Sequence, residues 1–398
     1  MPNRSRTSDA LKAQVAARVD AEQAALFELS ARIHAHPELC FTEHRAAGWL
    51  TDYLESRGFA VQRGAYGLPT AFAARLGSGR PRLAVLCEYD ALPGIGHGCG
   101  HNVIAAAGAG AGVALSAVVG ETGGSIVVLG TPAEEGGGGK IAMAREGAFD
   151  EIDAAMMIHP ASVDLIGMNV LALTTVEVEY RGRAAHAAAA PHAGINALDG
   201  MVTAYQAIAQ LRQHIRTTER VHGIITDGGQ APNIVPERAA GLFLIRAITA
   251  KRLAKLKQRV DGCFHAGALA SGAECEVRTV GEEYSDMWTN QPFAAAYLAN
   301  LEQLGRRVVD LPADQISGST DMGNISKLLP AIHPMIGIAP PRVALHTQEF
   351  AQWASSADSQ RGVLDGAKAM AMTGVDVLCT PELLDAMRAA FQADAARA

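Results

Sequence analysis

Apolar residues recur at helical spacing through residues 9–35 (DALKAQVAARVDAEQAALFELSARIHA), which predicts an amphipathic helix with Asp9 as its cap. A second such pattern covers 46–57. HAHPELCFTEH between them reads as a loop, because Pro37 forces the residue before it out of the helical conformation. Short apolar runs of strand length follow at 70–76, 82–87, 125–130 and 154–159, and helical patterns at 102–119 and 139–148 alternate with them. This βαβα order predicts an α/β fold with a mostly parallel sheet covered by helices on both faces. After about residue 170 the pattern changes. ALTTVEVEY (172–180) alternates in strand fashion, a helix follows Asn196, then come two strands, a charged helix from Lys251 and the strand ECEVRTV. The order β-α-β-β-α-β is that of a ferredoxin-like sandwich. It predicts an inserted α+β domain at 171–283, interrupting a discontinuous domain of 1–170 and 284–398.

The 398 residues suffice for two domains. The net charge of −7, without a basic cluster, argues against nucleic acid. The long apolar run 103–120 is rich in Ala and Gly and adjoins polar, ligand-type residues, so it reads as a core helix and no membrane association is expected. The first residues lack the apolar stretch of a secretory signal. Six cysteines, at 40, 87, 99, 263, 275 and 379, show no disulfide-like spacing, which predicts a reducing, cytoplasmic location.

The chemistry gathers where strands end. The second strand runs into Glu88, Asp90, His97, Cys99 and His101, the third into Glu134 and Glu135, and the fourth into His159. Adjacent glutamates are commonly a solvated pair, and a single strand-end histidine commonly bonds a carbonyl. Three such clusters at one end of one sheet instead form a constellation. A thiol, imidazoles and carboxylates packed this closely suit a transition metal, zinc first. The glycines before Lys140 do not make a phosphate loop, because Ile141 stands where Ser or Thr is needed. No G-x-S-x-G nucleophile elbow is evident.

In order, EYDALPGIGHGCGHN, GTPAEEGGGGK, MIHP, GRAAHAAAAPHAGINALD, APNIVPE, GSTDMGN and LHTQEF resemble the motifs of the co-catalytic zinc aminoacylase and carboxypeptidase family. The resembling branch is that of p-aminobenzoyl-glutamate hydrolase and related dipeptidases, and the likeness runs from His34 to Phe350. The resemblance implies a zinc-peptidase-like catalytic domain plus an inserted lid and dimerisation domain. It implies one or two zinc ions per subunit, with manganese or cobalt as substitutes, held by Cys99, His101, Glu135, His159 and His346. It makes Glu134 the general base and Asp90 the support behind the ligands. His186 becomes a lid histidine that reaches the active site of the other subunit of a homodimer. Asn233 and Arg246 become contacts for the substrate carboxylate. The implied reaction is metal-hydroxide attack on an amide that joins an acyl or aminoacyl group to an amino acid, as in an N-acyl amino acid, aminobenzoyl-glutamate or a dipeptide. Glu88 stands where relatives often carry Asp or His, and Cys40 replaces a common Gly; neither removes a ligand. A non-catalytic zinc-binding or regulatory protein on the same scaffold is the alternative, but it would have no need of a glutamate base beside a glutamate ligand.

Overall fold

The computed structural model describes residues 4–310 and 318–397. The chain divides into two compact units. The first runs up to Met168 and resumes at Met287; the second is Asn169–Asp286, with Ser319.

The first unit opens with helices α1 (Arg4–Ala21), α2 (Gln23–Ala35) and α3 (His44–Ser56), followed by strands β1 (Ala60–Arg63), β2 (Phe72–Gly77) and β3 (Arg82–Cys87). Then come α4 (His101–Thr122), β4 (Ser125–Gly130), α5 (Gly139–Arg145), β5 (Ala154–Met156) and β6 (His159–Ala161). The second unit contributes β7 (Ala172–Arg181), α6 (Ala197–Leu211), β8 (Arg220–Asp227), β9 (Arg238–Ala247), α7 (Ala250–Ser271) and β10 (Glu274–Tyr284). The first unit then continues with α8 (Gln291–Gln303), α9 (Met322–Ile325), β11 (Ala331–Ile332), β12 (Met335–Gly337), α10 (Gln348–Trp353), α11 (Ala357–Cys379) and α12 (Pro381–Arg397).

Six strands of the first unit form one sheet in the order β1-β2-β4-β3-β5-β11. The β4–β3, β3–β5 and β5–β11 ladders are parallel; β1 and β2 add an antiparallel edge. β3 and β4 are apolar and buried nearly throughout, as strands covered on both faces must be. Helix α4 is long and apolar enough to cross a membrane, yet 83% of its most apolar window is buried inside the protein. Its small residues explain the fit: a Cβ at Gly108 would lie 2.7 Å from both Cys87 Sγ and the Leu86 carbonyl oxygen, so the helix rests directly on β3.

Two expectations about single elements are corrected. The helical pattern of 9–35 is two helices, and Asp9 lies inside α1 rather than capping it. The break falls at Glu22, whose buried carboxylate accepts from Arg57 Nε and Nη2 (3.0 and 2.7 Å) and from Tyr53 Oη (3.2 Å) on and beyond α3. The single strand expected at 154–159 is also divided. β5 stays in the large sheet, whereas β6, beginning at His159, pairs in parallel with β12 in a separate two-stranded ladder.

The second unit is a four-stranded antiparallel sheet in the order β10-β7-β9-β8, with α6 and α7 supplying the apolar cover. Chain order β-α-β-β-α-β with this strand order is the ferredoxin-like arrangement. Val176, Val178 and Tyr180 of β7 pack with Met201 and Ile208 of α6 and Leu253, Val260 and Phe264 of α7. Asn196 starts α6 by accepting hydrogen bonds from the Leu198 and Asp199 amides.

Candidate metal centre

Five segments of the first unit converge. β3 delivers Glu88 and Asp90 just past its end, and the chain returns through the glycine-rich loop to place Cys99 before, and His101 at, the start of α4. The turn after β4 carries Glu134 and Glu135, β6 opens with His159, and the loop before α10 carries His346. Two backbone positions here are strained. Ala133 and His346 have φ of 60° and 63°, left-handed values that non-glycine residues seldom adopt. The neighbours hold both in place. Ala133 N–H donates to the buried Glu43 carboxylate (2.9 Å), and His346 N–H donates to the Gly98 carbonyl (2.9 Å), which ties the last of the five to the Cys-Gly-His turn.

Cys99 Sγ lies 3.4 Å from His159 Nε2. Glu135 Oε1 lies 3.3 Å from His346 Nε2 and 3.8 Å from His101 Nε2. Cys99, His101 and His159 offer ligand atoms within 4.8 Å of one another, as do Cys99, Glu135 and His346, and as do Glu88, His101 and Glu134. The supports fix which ring nitrogen faces inward. His101 Nδ1 bonds Asp90 Oδ1 at 3.0 Å, and His159 Nδ1 donates to the Pro160 carbonyl at 2.7 Å, so both Nε2 atoms are turned toward the cluster. The other Asp90 oxygen accepts from the Glu135 amide (2.9 Å), so one carboxylate orients two members of the set. His101 Nε2 and Glu88 Oε2 are buried 3.6 Å apart, neither with a hydrogen-bond partner among the described residues. Orphaned polar atoms that face one another are unfavourable unless something joins them. A thiol, imidazoles and carboxylates are the donors a divalent transition metal takes, so the set fits such an ion.

The electrostatics follow from burial and proximity. Burial, with the charge of His101 beside it, lowers His159 to about 4 and keeps it a neutral donor. Burial works against the Asp90 carboxylate, but the charge and hydrogen bond of His101 bring it down to about 2. Burial, Glu88, Asp321 and Glu135 push Glu134 well above the usual carboxylate range. Its neighbour Glu135 is lowered against burial by the His346 hydrogen bond and the charge of His101. Two adjacent carboxylates on one turn thus have opposite environments.

His186, Asn233 and Arg246 belong to the second unit. His186 Nδ1 accepts from the Ala188 and Ala189 amides (3.2 and 3.1 Å), which leaves its proton on Nε2 in an exposed loop. Ala187 N–H bonds the Asn233 carbonyl at 3.0 Å, so these two segments are neighbours. Arg246 sits half-buried on β9, with Nη1 3.3 Å from Ser319 Oγ. Sequence reasoning missed Lys140 and Asp321. Both are fully buried: Lys140 Nζ lies 2.5 Å from Glu88 Oε1 and 2.6 Å from Asp321 Oδ1. It also left His333 open. That ring is buried 5.5 Å from the His159 ring, and neither nitrogen has a hydrogen-bond partner among the described residues.

A mostly parallel α/β sheet with metal-type donors gathered beyond its strand ends and on the neighbouring β6 and the loop before α10, together with a ferredoxin-like insertion, defines a metal-binding α/β protein. The chain belongs to peptidase family M20/M25/M40, whose model matches residues 85–371. It is 40% identical to the Xaa-Arg dipeptidase of Mus musculus over 96% of this chain and 92% of that one. It is 30% identical to a chain of the p-aminobenzoyl-glutamate hydrolase of Escherichia coli, over 92% of each. Among solved structures, a dinuclear metal-binding peptidase of the M20 family from Bacillus subtilis shares the fold, with a TM-score of 0.65 and 19% identity over 87% of this chain and 98% of that one. The chain is therefore a hydrolase of peptide or amide bonds that depends on a divalent metal.

Proposed function

We propose that this protein cleaves the amide bond between an acyl or aminoacyl group and an amino acid with a free carboxylate, as a cytoplasmic homodimer. The observation that carries the reading is the convergence of Cys99, His101, Glu135, His159 and His346 in two groups that share Cys99, one buried (with His101 and His159) and one opening to solvent at His346, beside the buried Glu134. Those five would hold one or two divalent ions, with zinc the first choice for a set containing a thiolate and three imidazoles. A divalent cation there would lower the pKa of a bound water to about 7 and polarise the scissile carbonyl.

The chain's own groups do the rest. Asp90 keeps His101 turned inward by holding Nδ1. Glu134, whose surroundings favour proton uptake, takes the proton from the attacking water and passes it to the leaving nitrogen. His186, with its proton on Nε2, donates to the developing oxyanion. Asn233 and Arg246 bind the carboxylate of the released amino acid, a task that suits the fork geometry of a guanidinium. The location rests on six free cysteines. The dimer rests on the resemblance of the inserted domain to the family's dimerisation domain.

The relatives' names rank the substrates to try: dipeptides ending in Arg, then other dipeptides, N-acyl amino acids and p-aminobenzoyl-glutamate. The full-length protein is stripped with a chelator, then reloaded with zinc, manganese or cobalt before each assay. Hydrolysis that vanishes on stripping and returns on reloading is expected. Undiminished turnover by metal-free protein would sink the reading.

A further inference from the structure

GGGGK is the motif that neither phosphate binding nor the proposed chemistry absorbs. The glycines bring α5 close against the strand-end turn: a Cβ on Gly139 would run into the Pro132 carbonyl oxygen. The next residue, Lys140, is thereby delivered into the interior, where its side chain is fully buried. A lysine is almost never fully buried unless paired. Here Nζ lies between two carboxylates that are themselves fully buried, Glu88 Oε1 at 2.5 Å and Asp321 Oδ1 at 2.6 Å. Asp321 Oδ2 also accepts from the Lys140 backbone N–H at 2.9 Å, so the lysine is held at both ends.

The arrangement is directional. Lys140 takes one oxygen of Glu88, while the other, Oε2, has no hydrogen-bond partner among the described residues and lies 3.6 Å from His101 Nε2. Glu88 belongs to the cluster with His101 and Glu134, and Oε2 is the oxygen that approaches His101. We propose that Lys140 is a positioning residue of the metal centre: with Asp321 behind it, its ammonium pins one oxygen of Glu88 and so presents the other beside His101 and Glu134. Without the ammonium, two carboxylates would be left buried and unpaired, and Glu88 would have nothing to fix its orientation. Groups behind the ligands of a metal site typically govern about 10–100-fold in affinity or activity. The inference deepens the metal-dependent reading and rests on it.

The test uses the full-length protein carrying Lys140→Met, which keeps the chain length and removes the charge, alongside Glu88→Gln, Asp321→Asn and the Lys140→Met/Glu88→Gln pair. Zinc and manganese titrations of the metal-free proteins give affinity and stoichiometry without any assay of activity. Dipeptide hydrolysis at saturating metal gives kcat and KM separately. Lys140→Met is expected to weaken metal binding at one site, or to lower kcat at saturating metal, by at least about tenfold with KM changed little. Adding it to Glu88→Gln is expected to change little more, because both act through one oxygen. Wild-type affinity and kcat in Lys140→Met, or losses that multiply in the pair, would overturn the proposal. Should Lys140→Met fail to fold, Asp321→Asn and Glu88→Gln decide the matter: both must show the same kind of loss. If the wild type cleaves none of the substrates, the substrate reading fails while the titrations still judge Lys140.

Discussion

Glu134 and Glu135 are adjacent and chemically identical, yet their surroundings divide them. Glu135 faces His101 and His346, which hold it ionised; Glu134 is buried among Glu88, Asp321 and Glu135, which favour its protonated form. A group meant to accept a proton and then give it up wants the second environment, and a ligand wants the first. Glu134→Gln removes the proposed base while keeping size and shape. It should bind metal with wild-type stoichiometry, measured by elemental analysis, and lose at least about a hundredfold in kcat, the lower range for a positioned acid–base group. Full turnover in that variant would remove Glu134 from the reaction. The approach of Cys99 to His101 was legible in the sequence because one short motif, Cys-Gly-His, holds both. That of Lys140 to Asp321 was not, because 181 residues separate partners that touch. Spacing along the chain carries no information about such a contact, and a lysine after four glycines invites comparison with phosphate loops instead.

At the scale of elements, periodicity located most helices and strands but not where two of them break. The apolar stripe of 9–35 continues through Glu22, and the reason for the break lies on another helix. Arg57 grips the Glu22 carboxylate from the end of α3, and Tyr53 of α3 adds to it. No pattern local to α1 and α2 could announce that. The strand at 154–159 divides for a similar reason: β5 and β6 pair with different strands, β11 and β12, from a distant part of the chain. The Glu22 junction makes a stability prediction. The Arg57 hydrogen bond first, with the charges of Arg57 and Arg18, holds the Glu22 carboxyl below its ordinary value against the effect of burial. A carboxyl lowered on folding contributes stability above its unfolded pKa of about 4.3, and loses it as pH falls through the folded value. Glu22→Gln should therefore cost about 1.5–3 kcal/mol in urea unfolding at pH 7, the range for hydrogen bonds to a charged group. The gap from the wild type should narrow steadily below pH 4. An equal gap at pH 7 and pH 3 would mean that packing, not charge, secures the junction.

At the scale of the molecule, each unit has its own apolar core, and the two differ in what else holds them. The second unit's core is built from β7, β9, α6 and α7, with no ligand-type cluster in it among the described residues. The first unit's larger core sits under a group of donors that includes buried atoms of Glu88 and His101 without a hydrogen-bond partner among the described residues. Those two atoms were desolvated on folding without gaining a hydrogen bond, at about 1–3 kcal/mol for each group. Binding of a cation that joins them would repay that, and its effect on stability follows mass action: about 2.7 kcal/mol when free metal exceeds the dissociation constant a hundredfold. The effect should be local, because the donors all belong to one unit. Hydrogen exchange followed by mass spectrometry, on metal-free and zinc-loaded protein, would resolve it. Slower exchange is expected in peptides spanning 88–104, 131–141 and 157–161 and around His346, with exchange through β8 and β9 unchanged. Cys99→Ser should abolish most of that protection. Equal slowing across both units would mean that zinc acts on the stability of the whole chain, and no slowing at all would mean that the converging donors do not hold the ion.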